Sequence, residues 1–175
     1  MISPTALRLL AALAVGVSML SGCTPTPEPT PTPSPAFSSE EEAFAAAEAT
    51  YRAYVEASNA TDLSDPASFE GLFAWLRDEA LTSARKNFSR FHAEGWKRAG
   101  DTSFDRFTPL SFDGESVTVL LCVDASAVTL WDGSGNLVSS GRPDRQPVEV
   151  HLVAVPTTST GLAVSSTRAT KDLEC

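Results

Sequence analysis

The sequence predicts an α+β domain in which three helices cover one face of a curved antiparallel sheet. Apolar residues recur with a helical period from residue 39 to about residue 100, and a strand-like alternation follows to the end of the chain. Glycine-containing turn motifs separate the strand-like runs. Residues 38–175 are enough to bury one hydrophobic core, so a single domain is expected there.

The first helix is predicted over residues 39–59. Ser39 and Glu42 have the spacing of a capping box, and the acidic residues of the first turn suit the helix dipole. The apolar positions that follow have helical spacing and are Phe44, Ala47, Tyr51, Tyr54 and Val55.

Two more helices are predicted before residue 100. Asp65 and Pro66 form a cap followed by an N1 proline, which begins a short helix. The third helix carries its apolar face from Leu81 to Trp96 and is expected to end at Gly100. Its cations lie mostly off that face and are Arg85, Lys86, Arg90 and Lys97.

The strands are predicted after Gly100. Residues 104–112 precede an Asp-Gly turn, and residues 117–123 form the most strand-like run of the chain. A second hairpin tip is predicted at residues 131–136, and a third hairpin joins residues 147–155 to residues 162–167.

This order of elements resembles the nuclear transport factor 2-like superfamily, the cone-shaped fold of SnoaL-type cyclases and ketosteroid isomerases. The resemblance covers residues 39–175. At the motif level the chain is most similar to small actinobacterial-type lipoproteins, which place a cysteine in a central strand followed by Asp and Ser, here Cys122, Asp124 and Ser126. The tryptophan common at the start of their last strand is replaced by Gly161-Leu162-Ala163. The resemblance implies a fold and a pocket without implying a reaction.

Residues 1–22 have the parts of an export signal. Arg8 precedes an apolar run of eleven residues, Leu9 to Met19, which is shorter than the about 20 residues that span a bilayer. Leu20-Ser21-Gly22-Cys23 resembles the lipobox of bacterial lipoproteins, which implies that Cys23 carries a lipid with acyl chains such as palmitate. The alternative is a secreted protein with a chance cysteine. We expect a lipid anchor on the extracytoplasmic face of the cell membrane.

Residues 23–37 are predicted to be the lipidated cysteine and a tether. Residues 24–36 hold six of the twelve prolines, which favours an extended polyproline-II segment. Thirteen such residues reach roughly 40 Å at about 3.1 Å each. The alternative is a linker of no fixed length, and either one holds the domain off the membrane.

The cysteines left after Cys23 are Cys122 and Cys175. An even number in an oxidising compartment predicts one disulfide, worth roughly 4 kcal/mol in the chain-entropy model. No Cys-x-x-Cys pair is present, so a structural role is expected.

Charge limits the partners. The chain has 13 Lys and Arg against 22 Asp and Glu, and removing residues 1–22 leaves 12 against 22. The cations are scattered along the sequence, so we expect no nucleic-acid partner and a poor fit to anionic lipid headgroups.

Catalytic residues are not predicted. An isomerase of this fold requires a tyrosine donor, a carboxylate base and a protonated acid in an apolar strand. Tyr51 or Tyr54 matches the first role, but capping explains Asp62 and Asp65, and Glu149 alternates with the apolar side of its strand. The sequence therefore predicts no enzyme, no cofactor and no metal.

The residues expected to line a pocket of the cone are Tyr51, Tyr54, Trp75, Phe88, His92 and Trp96. For His92 the alternative is a hydrogen-bonded residue at the edge of the core. His151 is expected in solvent, and one histidine per element is too few for a metal site.

Three functions remain open. The first is an interaction module for another envelope protein, the second a small-molecule binder, and the third an isomerase or cyclase. A closed cone with an apolar outer patch favours the first function, and an open apolar cavity with a few polar groups favours the second. A buried acid beside Tyr51 or Tyr54 favours the third.

Overall fold

The structure is a computed structural model that describes residues 37–138, 141 and 143–175. The predictions of an export signal and of lipidation at Cys23 fall outside these residues. So does the tether predicted over residues 23–37, except for Phe37, which is buried in the core instead. Within the described ranges, no helix has the length and apolar character needed to cross a membrane.

Three helices open the domain, as predicted: α1 (Glu40–Asn59), α2 (Phe69–Phe73) and α3 (Asp78–Ala93). The Ser39 hydroxyl accepts a hydrogen bond from the Glu42 amide at 3.2 Å and caps α1. The Glu42 carboxylate reaches back to the amide of Ser38 at 2.9 Å. Asp65 accepts from the Ala67 amide at 3.0 Å, and Pro66 begins a 3₁₀ turn that leads into α2.

The end of α3 corrects the sequence prediction, because the helix ends at Ala93 and not at Gly100. Gly95 has a φ of +68° and its amide bonds to the His92 carbonyl at 3.0 Å, while the Trp96 amide bonds to the Phe91 carbonyl at 2.9 Å. This is a Schellman motif. The Trp96 ring stacks on the Phe91 ring with centroids 4.8 Å apart, which supplies the apolar contact that often accompanies the motif.

Six strands follow: β1 (Lys97–Ala99), β2 (Ser103–Phe112), β3 (Ser116–Asp124), β4 (Thr129–Trp131), β5 (Arg145–Ala154) and β6 (Leu162–Ala169). Strands β2, β3, β5 and β6 form one antiparallel sheet in the order β2-β3-β5-β6. The second predicted hairpin tip is confirmed, since an antiparallel bridge joins Trp131 to Leu137 across it. The main partner of strand β4 is β1.

The core lies between the helices and one face of the four-stranded sheet. Alternate residues of β3 and β5 point into it, and they are Val117, Val119, Leu121, Val148, Val150 and Leu152. Helices α1 and α2 add fully buried apolar residues. Helix α3 has no buried residue, and its apolar side packs only partly on the core. The space under α3 is therefore incompletely filled.

The opposite face of the sheet holds the predicted disulfide. Cys122 bonds to Cys175 with a Cα–Cα distance of 5.7 Å, which confirms the pairing. Two arginines hold the same segment of chain: Arg106 donates to the Glu174 carbonyl at 3.2 Å, and Arg145 to the Cys175 carbonyl at 3.0 Å. Cys122 is fully buried as a result.

Candidate ligand cavity

A cavity of about 300 Å³ lies under α3, where the helix passes over β6 and the end of α1. Its apolar wall consists of Leu72, Leu76, Phe88, Phe91 and Val164. Its polar groups include Tyr54, Ser58, Glu79, Asn87 and Thr167. The cavity is therefore lined about equally by apolar and polar surface, and its one carboxylate belongs to the exposed Glu79.

The first end of α3 is attached to β6. The Arg77 amide donates to the Val164 carbonyl at 2.9 Å, and the Val164 amide donates to the Trp75 carbonyl at 2.9 Å. Asp78 begins the helix with a φ of +46°, and its carboxylate accepts a hydrogen bond from the Ser165 hydroxyl at 2.6 Å. These contacts fix where α3 leaves the sheet.

The second end of α3 is held by the Schellman motif and by His92, whose Nδ1 lies 3.0 Å from the Leu63 carbonyl oxygen. The helix is thus attached at both ends and has no fully buried residue between them. This arrangement explains why a cavity remains beneath its middle.

A smaller cavity of about 170 Å³ lies beside the first, and Ser58, Phe88 and Phe91 belong to the lining of both. Arg98 lies in its wall and donates to the Ser58 carbonyl at 2.7 Å and to the Asn59 Oδ1 at 2.8 Å. A cation at this position suits the carbonyl end of α1. Arg98 therefore joins β1 to the end of the first helix.

The two tyrosines of α1 lie together, with ring centroids 5.4 Å apart. Burial raises the pKa of Tyr51, and burial also raises the pKa of Tyr54, where the charge of Arg98 acts in the opposite direction. Both hydroxyls therefore stay protonated at neutral pH and are able to donate a hydrogen bond. Within the residues that the structure describes, no carboxylate contributes to either shift, and the buried acid that an isomerase requires is not found beside them.

The structure separates the six residues predicted to line a pocket. Tyr54 and Phe88 line the larger cavity. Tyr51 packs edge-on against Phe104 with centroids 4.9 Å apart. The remaining three are not part of either lining: Trp75 is half-buried next to β6, His92 is exposed and hydrogen-bonded, and Trp96 stacks on Phe91.

The rim of the cavity is formed by residues that were not among the six predicted to line a pocket. Glu79, Ser83 and Asn87 all line it and follow one another at intervals of four residues along α3. Residues four apart share one side of a helix. Polar residues at this spacing, next to the apolar positions of α3, are the sequence pattern from which the rim could have been predicted.

The outer face of the sheet carries paired polar side chains. Glu149 forms an ion pair of 2.6 Å with Arg168, and the half-buried His151 lies 3.3 Å from the Thr118 hydroxyl. Among the described residues the exposed large apolar side chains are Leu110 and Leu137. The same part of the chain contains no cluster of three or more metal-binding side chains.

Comparison with known proteins shows the fold. No protein-family model matches the chain, and no curated protein is significantly similar to it. A candidate aromatic ring hydroxylase from Novosphingobium aromaticivorans is 12% identical, with 77% of this chain and 97% of that chain covered and a TM-score of 0.50. The intermembrane space region of the chloroplast protein ARC6 is 11% identical, with 70% and 92% covered and the same TM-score of 0.50. The protein Aln2 from a Streptomyces species is 20% identical, with 77% and 93% covered and a TM-score of 0.44.

At these identities the similarity concerns the fold alone. The chain has the α+β cone fold of the nuclear transport factor 2-like proteins, which confirms the predicted fold class. This fold is compatible with an interaction or binding module, and proteins named as enzymes also have it.

Proposed function

We propose that the protein is a non-catalytic binding protein, anchored by a lipid on Cys23 to the extracytoplasmic face of the cell membrane. Its cavity under α3 binds a small neutral molecule that has both apolar and hydrogen-bonding groups. The main support for this proposal is the size of the cavity. Its volume of about 300 Å³ lies within the range of small-molecule sites, at the lower end.

The lining sets the chemistry of the ligand. Leu72, Leu76 and Val164 form an apolar floor, where burial of an apolar group provides the driving force. Tyr54 supplies a hydrogen-bond donor, and Glu79 places a negative charge on the rim. A neutral molecule with one acceptor group fits these features better than an anion does.

The absence of an acid beside the tyrosines within the described residues supports binding without catalysis. Tyr54 alone of the α1 pair lines the cavity, and a single protonated hydroxyl orients a ligand without transferring its proton at neutral pH. The interaction module with an envelope partner is the weaker candidate. That function predicts an apolar outer patch. Of the exposed large apolar side chains in the described residues, Leu110 lies in β2 and Leu137 lies outside the strands.

The cavity is tested with a filling variant and a matched surface variant. Ala84 lines the cavity, whereas Ala93 is exposed at the last turn of the same helix. The neutral dye N-phenyl-1-naphthylamine should give a saturable fluorescence increase with the wild type and with Ala93→Phe. Ala84→Phe should weaken binding at least ten-fold because its ring occupies the site. Equal binding by all three folded proteins, or no saturable binding, contradicts the proposal.

The anchor is tested by cell fractionation. Replacing Cys23 with alanine should leave unprocessed precursor or release the protein from the membrane fraction, since the lipid has no attachment point. The control is Lys171→Gln, which changes an exposed residue outside the lipobox and should remain in the membrane fraction. A Cys23→Ala protein that is still cleaved after Gly22 and still sediments with membranes refutes the anchor.

A further inference from the structure

The outer side of α3 and the adjoining strand β1 carry an exposed basic face formed by Arg85, Lys86, Arg90 and Lys97. From Asp78 to Ala99, the span of α3 and β1, the chain has five cations and three acids, which are Asp78, Glu79 and Glu94. The whole chain has 13 cations and 22 acids, so the other residues have 8 cations against 19 acids. Cations therefore outnumber acids in this segment, although the chain as a whole is acidic.

The ion pairs of the described residues do not include these four side chains. Two of the cations lie over aromatic rings: the Arg85 guanidinium is 5.6 Å from the Phe73 centroid, and that of Arg90 is 5.1 Å from the Phe91 centroid. Lys86 and Arg90 are four residues apart, and like charges at that spacing destabilise a helix. The helix dipole accounts for Arg90 in the last turn of α3 and leaves the other cations unexplained.

At the end of the helix, the basic face is next to an aromatic pair formed by Trp96 and Phe91. Trp96 lies between Arg90 and Lys97 in sequence, is half-buried, and stacks on Phe91 with centroids 4.8 Å apart. Cations next to a partly exposed tryptophan are typical of surfaces that bind the headgroup region of a membrane.

We propose that the basic face, Arg85, Lys86, Arg90 and Lys97 with Trp96 at its end, docks on the surface of a bilayer that contains anionic phospholipid. The inference rests on the proposed membrane anchoring, because the anchor keeps the domain at a high effective concentration near that surface. The anchor therefore keeps the bilayer close to the basic face at all times, whereas a soluble acidic protein would have to reach this face by diffusion.

The distances allow this contact. The tether leads to Phe37, whose ring packs against Phe112 at 6.1 Å near the start of α1. The basic face lies toward the other end of α1, where Arg98 bonds to the Ser58 carbonyl. Helix α1 has 20 residues and is about 30 Å long, and the reach of about 40 Å predicted from the sequence of residues 24–36 exceeds that length.

The net negative charge of the chain does not prevent contact. Exposed charges are screened over a Debye length of about 8 Å at physiological ionic strength, so acids on the far side of the domain repel the bilayer weakly. Each Lys or Arg near an anionic bilayer strengthens binding by about five-fold. Three such residues together therefore change the contact equilibrium by about 100-fold.

The experiment uses residues 24–175 with a hexahistidine tag in place of Cys23, held on vesicles through a nickel-chelating lipid. The vesicles contain phosphatidylcholine alone or with 30 mol% phosphatidylglycerol, each with brominated acyl chains that quench nearby tryptophan. Because the tag replaces Cys23, this measurement does not depend on lipidation. A failed anchor in cell fractions and a failed contact on vesicles are separate results.

Quenching is expected on the anionic vesicles, and it should fall to the level of pure phosphatidylcholine in 0.5 M salt. The variant Arg85→Gln, Lys86→Gln, Arg90→Gln should lose it. The matched control Arg52→Gln, Arg168→Gln, Lys171→Gln removes the same charge from other exposed sites and should keep it.

Equal quenching of the two triple variants overturns the proposal, and so does quenching that persists on pure phosphatidylcholine. Quenching that survives Trp96→Phe places the contact elsewhere and also overturns it. Binding of the untethered chain to polyglutamate without contact to vesicles assigns the face to an acidic protein instead. If the patch variant has a lower melting temperature, the salt and lipid dependence of the wild type decides the result.

Discussion

Breaking the disulfide between Cys122 and Cys175 should remove a large share of the stability of the domain. The two cysteines are 53 residues apart, and the loop-entropy relation gives about 4 kcal/mol for a cross-link of that length. Natural domains have a total stability of roughly 5–15 kcal/mol, so the loss is severe.

Two single variants separate the cross-link from the packing. Cys175→Ser removes the bond and leaves a buried thiol at Cys122, which packs as a small apolar group. Cys122→Ser removes the same bond and also places a hydroxyl in a fully buried site, which adds roughly 1–3 kcal/mol. The second variant should therefore be the less stable of the two.

Urea denaturation followed by circular dichroism measures both effects. Reduced wild type and Cys175→Ser should have the same midpoint, and the slope with urea should rise because an unlinked unfolded chain is more expanded. A loss below about 1 kcal/mol in Cys175→Ser refutes the reasoning. In that case the hydrogen bonds from Arg106 and Arg145 hold the C-terminal segment in place even without the disulfide.

Two glycines should respond to alanine with opposite signs. Gly100 has a φ of +77° and an added Cβ would lie 1.9 Å from the Ala127 carbonyl oxygen, so Gly100→Ala should destabilise by roughly 1–3 kcal/mol from the backbone alone. Gly71 lies in α2 with open space around it, so Gly71→Ala should stabilise by about 0.4–1 kcal/mol; equal signs in calorimetry contradict this. Hydrogen bonds, led by the one from the Glu115 amide, lower the pKa of Asp113 from 3.8 to about 2. The stabilisation from Asp113 is complete above pH 3.8 and is lost as the pH falls through about 2. The difference in urea midpoint between wild type and Asp113→Asn should therefore be constant from pH 5 to 7 and should close toward pH 2, and a difference independent of pH contradicts this cause.

Local signals predicted helix starts well. Ser39 and Asp65 cap their helices as expected, since a capping hydrogen bond joins residues two or three positions apart. The end of α3 was harder to predict from the sequence, because Gly95 and Gly100 are both of the residue type that commonly ends helices. In the structure both have a positive φ. The stacking of Trp96 on Phe91 and the pairing of β1 with β4 decide between them.

For the strands, too, the local turn was predictable from the sequence, whereas the pairing partner was not. The turn at residues 132–135 forms as its Asp-Gly-Ser-Gly sequence predicts, and the Gly135 amide bonds to the Asp132 carbonyl at 2.9 Å. The main partner of the strand before that turn is β1, which lies about thirty residues earlier in the chain. No pattern within one segment encodes such a pairing.

The sequence by itself determined the helix caps, the turns, the strand alternation and the choice of the two cysteines left for a disulfide, because each depends on neighbouring residues or on a count. It also carries the prediction of the export signal and of Cys23. Only the tertiary structure decided which aromatic residues face the cavity and that the cations of α3 lie on one exposed face. Both depend on the path of α3 over the sheet, which is set by contacts with β6 and Leu63 that are distant in sequence.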